Sequence, residues 1–285
     1  MTRRRARRGQ MGAGHARYPI VPEEGTWPEK AYKNLNFLQS SDGRLIRVMC
    51  EFAEPEARFR RLAVRHTVVF YGSARLISTP DAIAQLENAR AYGDKAAIHR
   101  AEVDIEMAQY YDDAQELARR MALWSMELPK RKQFAIATGG GPGIMEAANR
   151  GAHLAGAPNV GLNISLPFEQ EPNPYQSPEL AFEFHYFFVR KFWFMYLAKA
   201  LVAFPGGFGT LDELFELLTL VQTKKTVKRM PIVVYGKEFW KKLINWDYLV
   251  DRQVISREDL DLFAFCDTVD EAFEHLKAEL ERTYL

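Results

Sequence analysis

Cysteine is nearly missing from this chain: only Cys50 and Cys266 occur in 285 residues. Two thiols support neither a disulfide framework nor a zinc cluster. The six histidines (His15, His66, His99, His153, His185, His275) show no close metal-ligand spacing, so no metal is expected. Charge of one sign is also lacking. Lys and Arg number 38 against 37 Asp and Glu, a net charge of +1, and so weak a summed field gives no general case for nucleic-acid binding. No apolar run approaches the ~20 residues that span a bilayer, and no secretory leader pattern opens the chain. A soluble protein of a reducing, cytoplasmic compartment is the expectation. The local exception is Arg3, Arg4, Arg5, Arg7 and Arg8. Like charges at that density repel, which reads as a disordered tail.

What is present is a strand–helix alternation. Residues 1–60 read as a polar N-terminal extension with one short apolar stretch, Leu45 to Cys50, and residues 61–285 as one Rossmann-like domain. Val64 to Phe70 is a β-rich run ending at Gly72-Ser73. Residues 80–127 read as one long helix or as two broken near Gly93. Strands are expected at Phe134–Thr138, Val160–Leu166, Phe182–Phe188, Ala200–Phe204 and Pro231–Tyr235. Helices are expected at Ile144–Leu154, Arg190–Ala198 and Thr210–Gln222, and near 238–250 and 269–283. Such alternation predicts an α/β fold, a doubly wound Rossmann-like parallel sheet.

Two glycine-rich turns follow expected strands and open expected helices: Gly139-Gly140-Gly141-Pro142-Gly143 and Gly206-Gly207-Phe208-Gly209. Glycine lets the backbone approach a ligand, and helix N-termini favour anions, so both are candidate phosphate cradles. Tight turns alone would also use glycine. A dinucleotide fingerprint is incomplete, because Ile144 stands where the third glycine belongs and Leu162-Asn163-Ile164-Ser165 offers no acidic partner. No P-loop pattern occurs. Thr210-Leu211-Asp212-Glu213 fits a T-x-x-E capping box. The same Glu213, one turn into a helix that opens at a glycine loop, also suits a catalytic carboxylate. Arg190 and Lys191 interrupt a run of aromatic residues, as surface cations that snorkel or as anion ligands.

Taken together, Gly139 to Glu146, Arg190-Lys191 and Pro205-Gly206-Gly207-Phe208-Gly209-Thr210-Leu211-Asp212-Glu213 resemble the LOG (LONELY GUY) phosphoribohydrolases, from about Val64 to about Leu280. This family was long labelled lysine decarboxylase. The resemblance implies hydrolysis of AMP or a cytokinin ribotide to free base and ribose 5-phosphate, without a metal or organic cofactor. It implies Arg190 and Glu213 as the catalytic pair and Lys191 and Thr219 as ligand contacts. Gly206, Gly207, Gly209 and Thr210 would bind phosphate, faced by Gly140, Gly141 and Gly143. A further glutamate contact falls on Glu169 or Glu171. A homo-oligomer is implied; no membrane partner is expected, and nucleic acid is disfavoured by the balanced charge, with the Arg-rich tail the one place for such a contact. Tyr71-Gly72-Ser73-Ala74-Arg75, where short members carry Cys-Gly-Ser-Ser, and the longer helical segment after Ser73 resemble the longer bacterial branch. Rival readings on the same fold are a non-catalytic nucleotide or molybdenum-cofactor carrier, a general AMP nucleosidase, and a pyridoxal-phosphate decarboxylase, for which no lysine stands out.

Overall fold

A computed structural model describes residues 28–166, 171–225 and 230–285. The Arg-rich tail and Glu169 lie outside the described residues. The chain divides into two compact units, Met1–Arg47 and Val48–Leu285. In the first, a 3₁₀ turn precedes α1 (Leu35–Gln39), whose N-cap Asn34 accepts from Phe37 N–H. Helix α2 (Arg44–Arg61) begins there; its residues from Val48 onward belong to the second unit.

In the second unit seven parallel strands form one sheet: β1 (His66–Tyr71), β2 (Phe134–Thr138), β3 (Asn159–Ile164), β4 (Ala181–Phe184), β5 (Ala198–Ala203), β6 (Ile232–Tyr235) and β7 (Ala264–Cys266). Their order is β4-β3-β2-β1-β5-β6-β7. From β1 the chain builds outward through β2, β3 and β4, then returns to place β5, β6 and β7 on the other side. The reversal lies between β1 and β5, and the loops leaving their carboxyl ends part to opposite faces, opening a crevice.

The strands are near-continuous apolar runs because helices cover both faces. Val69 and Tyr71 of β1 face a core shared with Phe59 of α2, with α6 (Phe187–Leu197) and α7 (Phe208–Gln222), and with Trp240 and Trp246 of α8 (Lys237–Leu243) and α9 (Trp246–Asp251). Val68 and Phe70 face α4 (Lys95–Glu127), α5 (Ile144–Leu154) and α10 (Val269–Tyr284). Each fully buried Val, Leu, Ile or Phe contributes roughly 1.5–3 kcal/mol, so this two-sided burial fixes the register of every strand.

Residues 80–127 are two helices. α3 (Thr79–Tyr92) ends at Gly93, whose φ of 67° is left-handed, and Asp94 restarts the chain as α4 by accepting from Ala96 and Ala97 N–H. Three expectations needed correction. The strand expected at Phe182–Phe188 ends at Phe184, and Phe187 and Phe188 open α6, because His185 and Tyr186 N–H turn to the Glu51 carboxylate instead of a strand. Helix α2 was not foreseen in the polar lead-in. Strand β7 is three residues long, too short to carry a pattern. Among the described residues no helix is long and apolar enough to cross a membrane.

Candidate active site

The crevice at the β1/β5 reversal is a cleft of about 710 Å³, within the ordinary range for small-molecule sites. Its floor is Gly72-Ser73 after β1 and Pro205 to Gly209 after β5. These loops are tied together: Ser73 N–H donates to Pro205 O (3.0 Å) and Phe204 N–H to Tyr71 O (2.8 Å). Helix α7 starts at Phe208 with Gly207 as its N-cap and no side-chain cap. Thr210 is therefore the third helical residue, and the expected Thr210–Glu213 capping box does not form. Glu213 instead lies on the second turn, where its side chain reaches the cleft.

Arg190, the fourth residue of α6, meets Glu213 there. Its Nε donates to Leu162 O at 2.6 Å and its Nη1 faces Glu213 Oε1 at 3.4 Å. The guanidinium lies 5.0 Å from the centre of the Phe194 ring. The side chains of Arg190 and Glu213 are only 9% and 16% exposed, so this pair sits at low effective dielectric. Burial pushes the Glu213 carboxyl up from 4.5 to about 7, against the opposing pull of Arg190 and Lys191. A contact of 3.4 Å is long for an ion pair. So loose a contact lets the carboxyl engage something else in the cleft, and its burial leaves Glu213 divided between its two protonation states near neutrality. Beneath it, Tyr71 is buried, and that burial, followed by the charge of Glu213, holds its phenol well above the ordinary value.

Of the remaining expected residues, Gly141, Gly206, Gly207, Gly209 and Thr210 line the cleft, and Gly140, Gly143, Lys191 and Thr219 are not among its lining. Lys191 bridges α6 to α7, with Nζ 2.7 Å from Asp212 and 3.0 Å from Glu216. Thr219 Oγ1 donates to Phe215 O at 2.7 Å, on the exposed side of α7. Glu171 is exposed and outside the lining. Cleft residues the sequence did not single out include Arg75, Asn163, Met107 of α4 and Phe239 of α8.

The two glycine turns are built differently. Among the described residues, the adjoining ones aside, a Cβ on Gly207 or Gly209 would meet nothing within 4 Å, while one on Gly206 would sit 2.1 Å from Thr210 Oγ1. In the Gly139–Gly143 turn several groups are already engaged by the protein, among them Gly140 N–H and the carbonyls of Gly140, Gly141 and Gly143. Ile144 N–H, at the start of α5, donates to Ser73 O (3.0 Å). Gly143 has φ +70°, and a Cβ there would strike Ser73 O at 2.2 Å. Gly139 admits the Arg190 guanidinium, since a Cβ would lie 2.3 Å from Nη2.

A buried amide network that the sequence reading missed holds the Gly139–Gly143 turn. Thr138 Oγ1 accepts from Gly140 N–H (2.9 Å) and donates to Asn149 Oδ1 (2.6 Å), and Asn149 Nδ2 donates to Asn159 Oδ1 (2.8 Å). Asn173 Nδ2 donates to Gly140 O and Gly141 O, both at 3.0 Å, and Gln176 Nε2 to Gly140 O at 2.8 Å. Such groups are costly to bury unless paired. Asn159, at the start of an apolar strand, was the one signal available in the sequence.

Comparison with known proteins adds the following. No curated protein matches the chain. Among solved structures, TM1055, a structural-genomics target, is 20% identical over 75% of this chain and 99% of that one, with a TM-score of 0.48. Two structures of the molybdenum cofactor carrier protein from Chlamydomonas reinhardtii are 19% and 18% identical, each over 76% of this chain and 99% of that one, with TM-scores of 0.43 and 0.40. Residues 145–276 match the family model described as "possible lysine decarboxylase". Over that stretch, which takes in Arg190, Glu213 and the Gly206–Gly209 turn but not Gly139–Gly143, the chain is similar to that family.

Proposed function

We propose that this chain is a nucleoside 5′-monophosphate phosphoribohydrolase, cutting the N-glycosidic bond of AMP or a cytokinin ribotide to free base and ribose 5-phosphate. The observation that carries the reading is the loosely paired, buried Glu213 carboxyl facing a cleft that also contains the N-terminus of α7. The first N–H groups of α7 have no partner within the helix and suit a phosphate. The open space at Gly207 and Gly209 is where a phosphate would come close to the backbone.

With the phosphate so held, remote binding energy orients the ribose. Ionised Glu213 takes a proton from water, and the water oxygen bonds to C1′ as the C1′–N bond breaks. The bonding electrons leave with the base, which takes up a proton from solvent, and Glu213 returns to solvent the proton it gained from the water. Positive charge on the ribosyl group peaks in between, as in other glycoside hydrolyses, and the carboxylate stabilises it. Arg190 holds Glu213 in place and supplies donors to the ribose or the departing base.

The decarboxylase description fits the residues poorly. Pyridoxal phosphate needs a lysine for its Schiff base. Among the described residues no lysine lines the cleft, and Lys191 is committed to Asp212 and Glu216. The exposed aromatic side chains of α6, Phe188, Phe192 and Tyr196, form the surface we assign to a second copy of the chain. The functional test is to incubate the protein with AMP and with N6-prenyl-AMP and to follow free base by chromatography. Release of base from either supports the proposal. Bound nucleotide with no base released would favour a carrier and overturn it.

A further inference from the structure

Helix α6 carries Arg190 but has no side-chain cap of its own, and its first turn contains no acidic residue. The missing acceptor comes from α2. The Glu51 carboxylate accepts from His185 N–H at 2.8 Å and from Tyr186 N–H at 3.2 Å, and Tyr186 is the N-cap of α6. The backbone carbonyl of the same residue accepts from Trp193 Nε1 at 2.9 Å. One residue thus grips α6 on both sides of Arg190. Within the helix the connection continues: Tyr186 O accepts from Arg190 N–H at 3.2 Å, and the Arg190 side chain goes on to Leu162 O and Glu213. The rest of α2 reinforces the placement. Phe52 packs edge-on to Phe192 with ring centres 5.1 Å apart, and Arg58 Nη1 donates to Ala181 O at 2.9 Å while lying 4.3 Å from the Phe182 ring centre.

We propose that Glu51 is a positioning residue for Arg190: by capping α6 from another helix, it sets where the guanidinium meets Glu213 and the cleft. The physical basis is that a carboxylate at a helix N-terminus satisfies otherwise unpaired N–H groups and opposes the positive end of the helix dipole. Released, the first turn of α6 can fray, and Arg190 lies within reach of that fraying. Small displacements of a substrate-handling group are costly in rate. This role rests on the reading of Arg190 given under Proposed function.

The test uses the full chain with Glu51→Ala, Glu51→Gln and, as a packing control, Arg58→Met, which weakens α2 against β4 without touching the α6 cap. The first readout is kcat and KM for release of base. The second, independent of turnover, is the Arg190 Nε–H resonance in ¹⁵N-labelled protein, assigned by its disappearance in Arg190→Lys. The expected result is a fall of about tenfold in kcat for Glu51→Ala with KM little changed. Glu51→Gln, which keeps one acceptor oxygen, should recover part of that loss, and Arg58→Met should keep kcat. The Arg190 resonance should move or broaden in Glu51→Ala but not in Arg58→Met. Equal loss of kcat in Glu51→Ala and Arg58→Met would show general loosening and overturn the assignment, as would an unmoved Arg190 resonance. If the wild-type protein releases no base, the hydrolase reading fails on its own, and the resonance still decides whether Glu51 positions Arg190.

Discussion

Replacing Glu213 by glutamine separates the two things this buried carboxyl does, because glutamine keeps the shape and loses the titration. Burial raises the carboxyl from 4.5 to about 7. The folded protein therefore holds this proton more tightly than the unfolded chain does. The stabilisation from the neutral form is complete below about pH 4.5 and is lost as pH rises through about 7. At 1.36 kcal/mol per pKa unit the loss amounts to about 3 kcal/mol. Glu213→Gln has no such term. Its loss of the Arg190 contact is a constant offset, and every other titrating group is common to both proteins. The difference in stability, variant minus wild type, should thus grow by about 3 kcal/mol between pH 4.5 and pH 8, or roughly 6 °C in Tm for a unit of this size. Thermal or urea unfolding of both proteins at four pH values measures it. Over the same range wild-type kcat/KM should rise with pH, reaching half its plateau near 7 and levelling off above that as the carboxylate fills, and the variant should lose about 10²–10⁴-fold in kcat. A stability difference that stays flat with pH would refute the buried-carboxyl reasoning. Turnover that survives the substitution would refute the catalytic role.

Other perturbations follow from the same geometry. Gly139→Ala places a methyl group 2.3 Å from Arg190 Nη2 and 2.7 Å from Met145 Sδ; circular dichroism should stay native while kcat falls by about 10²-fold, the cost of roughly an ångström of displacement. Gly207→Ala meets nothing among the described residues beyond its chain neighbours, so its Tm should match the wild type, yet titration calorimetry should show AMP bound at least tenfold more weakly if the phosphate approaches this backbone; unchanged affinity moves the phosphate elsewhere. Asn173→Ala leaves Gly140 O and Gly141 O each short of a buried donor, and chemical unfolding should show a loss of about 2–3 kcal/mol. Phe188→Asp puts a charge on the exposed face of α6; sedimentation should show a smaller assembly than wild type, and an unchanged one would place any second copy elsewhere.

The α/β architecture was legible in the chain because a parallel sheet covered on both faces needs strands that are apolar throughout. Phe134-Ala135-Ile136-Ala137-Thr138 and Ala200 to Phe204 announce themselves by that continuity. The α3–α4 break was legible too, since Gly93 adopts a left-handed conformation that other residues resist. Helix α2 was not, because its outward face is charged and its inward residues, such as Phe52 and Phe59, find their partners Phe192, Phe182 and Trp193 more than a hundred positions away. Phe187 and Phe188 look like strand residues, and only the Glu51 carboxylate, reaching across from another helix, ends β4 and starts α6 before them.

Local spacing by itself determined that two glycine turns follow strands, that Glu213 stands one turn beyond the second, and that an Arg-Lys pair occurs upstream. These are short-range facts written in consecutive residues. Only the tertiary structure decided what each does. It started α7 at Phe208, freeing Glu213 from a capping role, and it buried that carboxyl against Arg190. It turned Lys191 toward Asp212 and Glu216 and locked Gly140 and Gly143 into the protein's own hydrogen bonds and packing. Burial and pairing depend on which strands lie side by side, and in a sheet that reverses between β1 and β5 the neighbours that matter are distant in the chain.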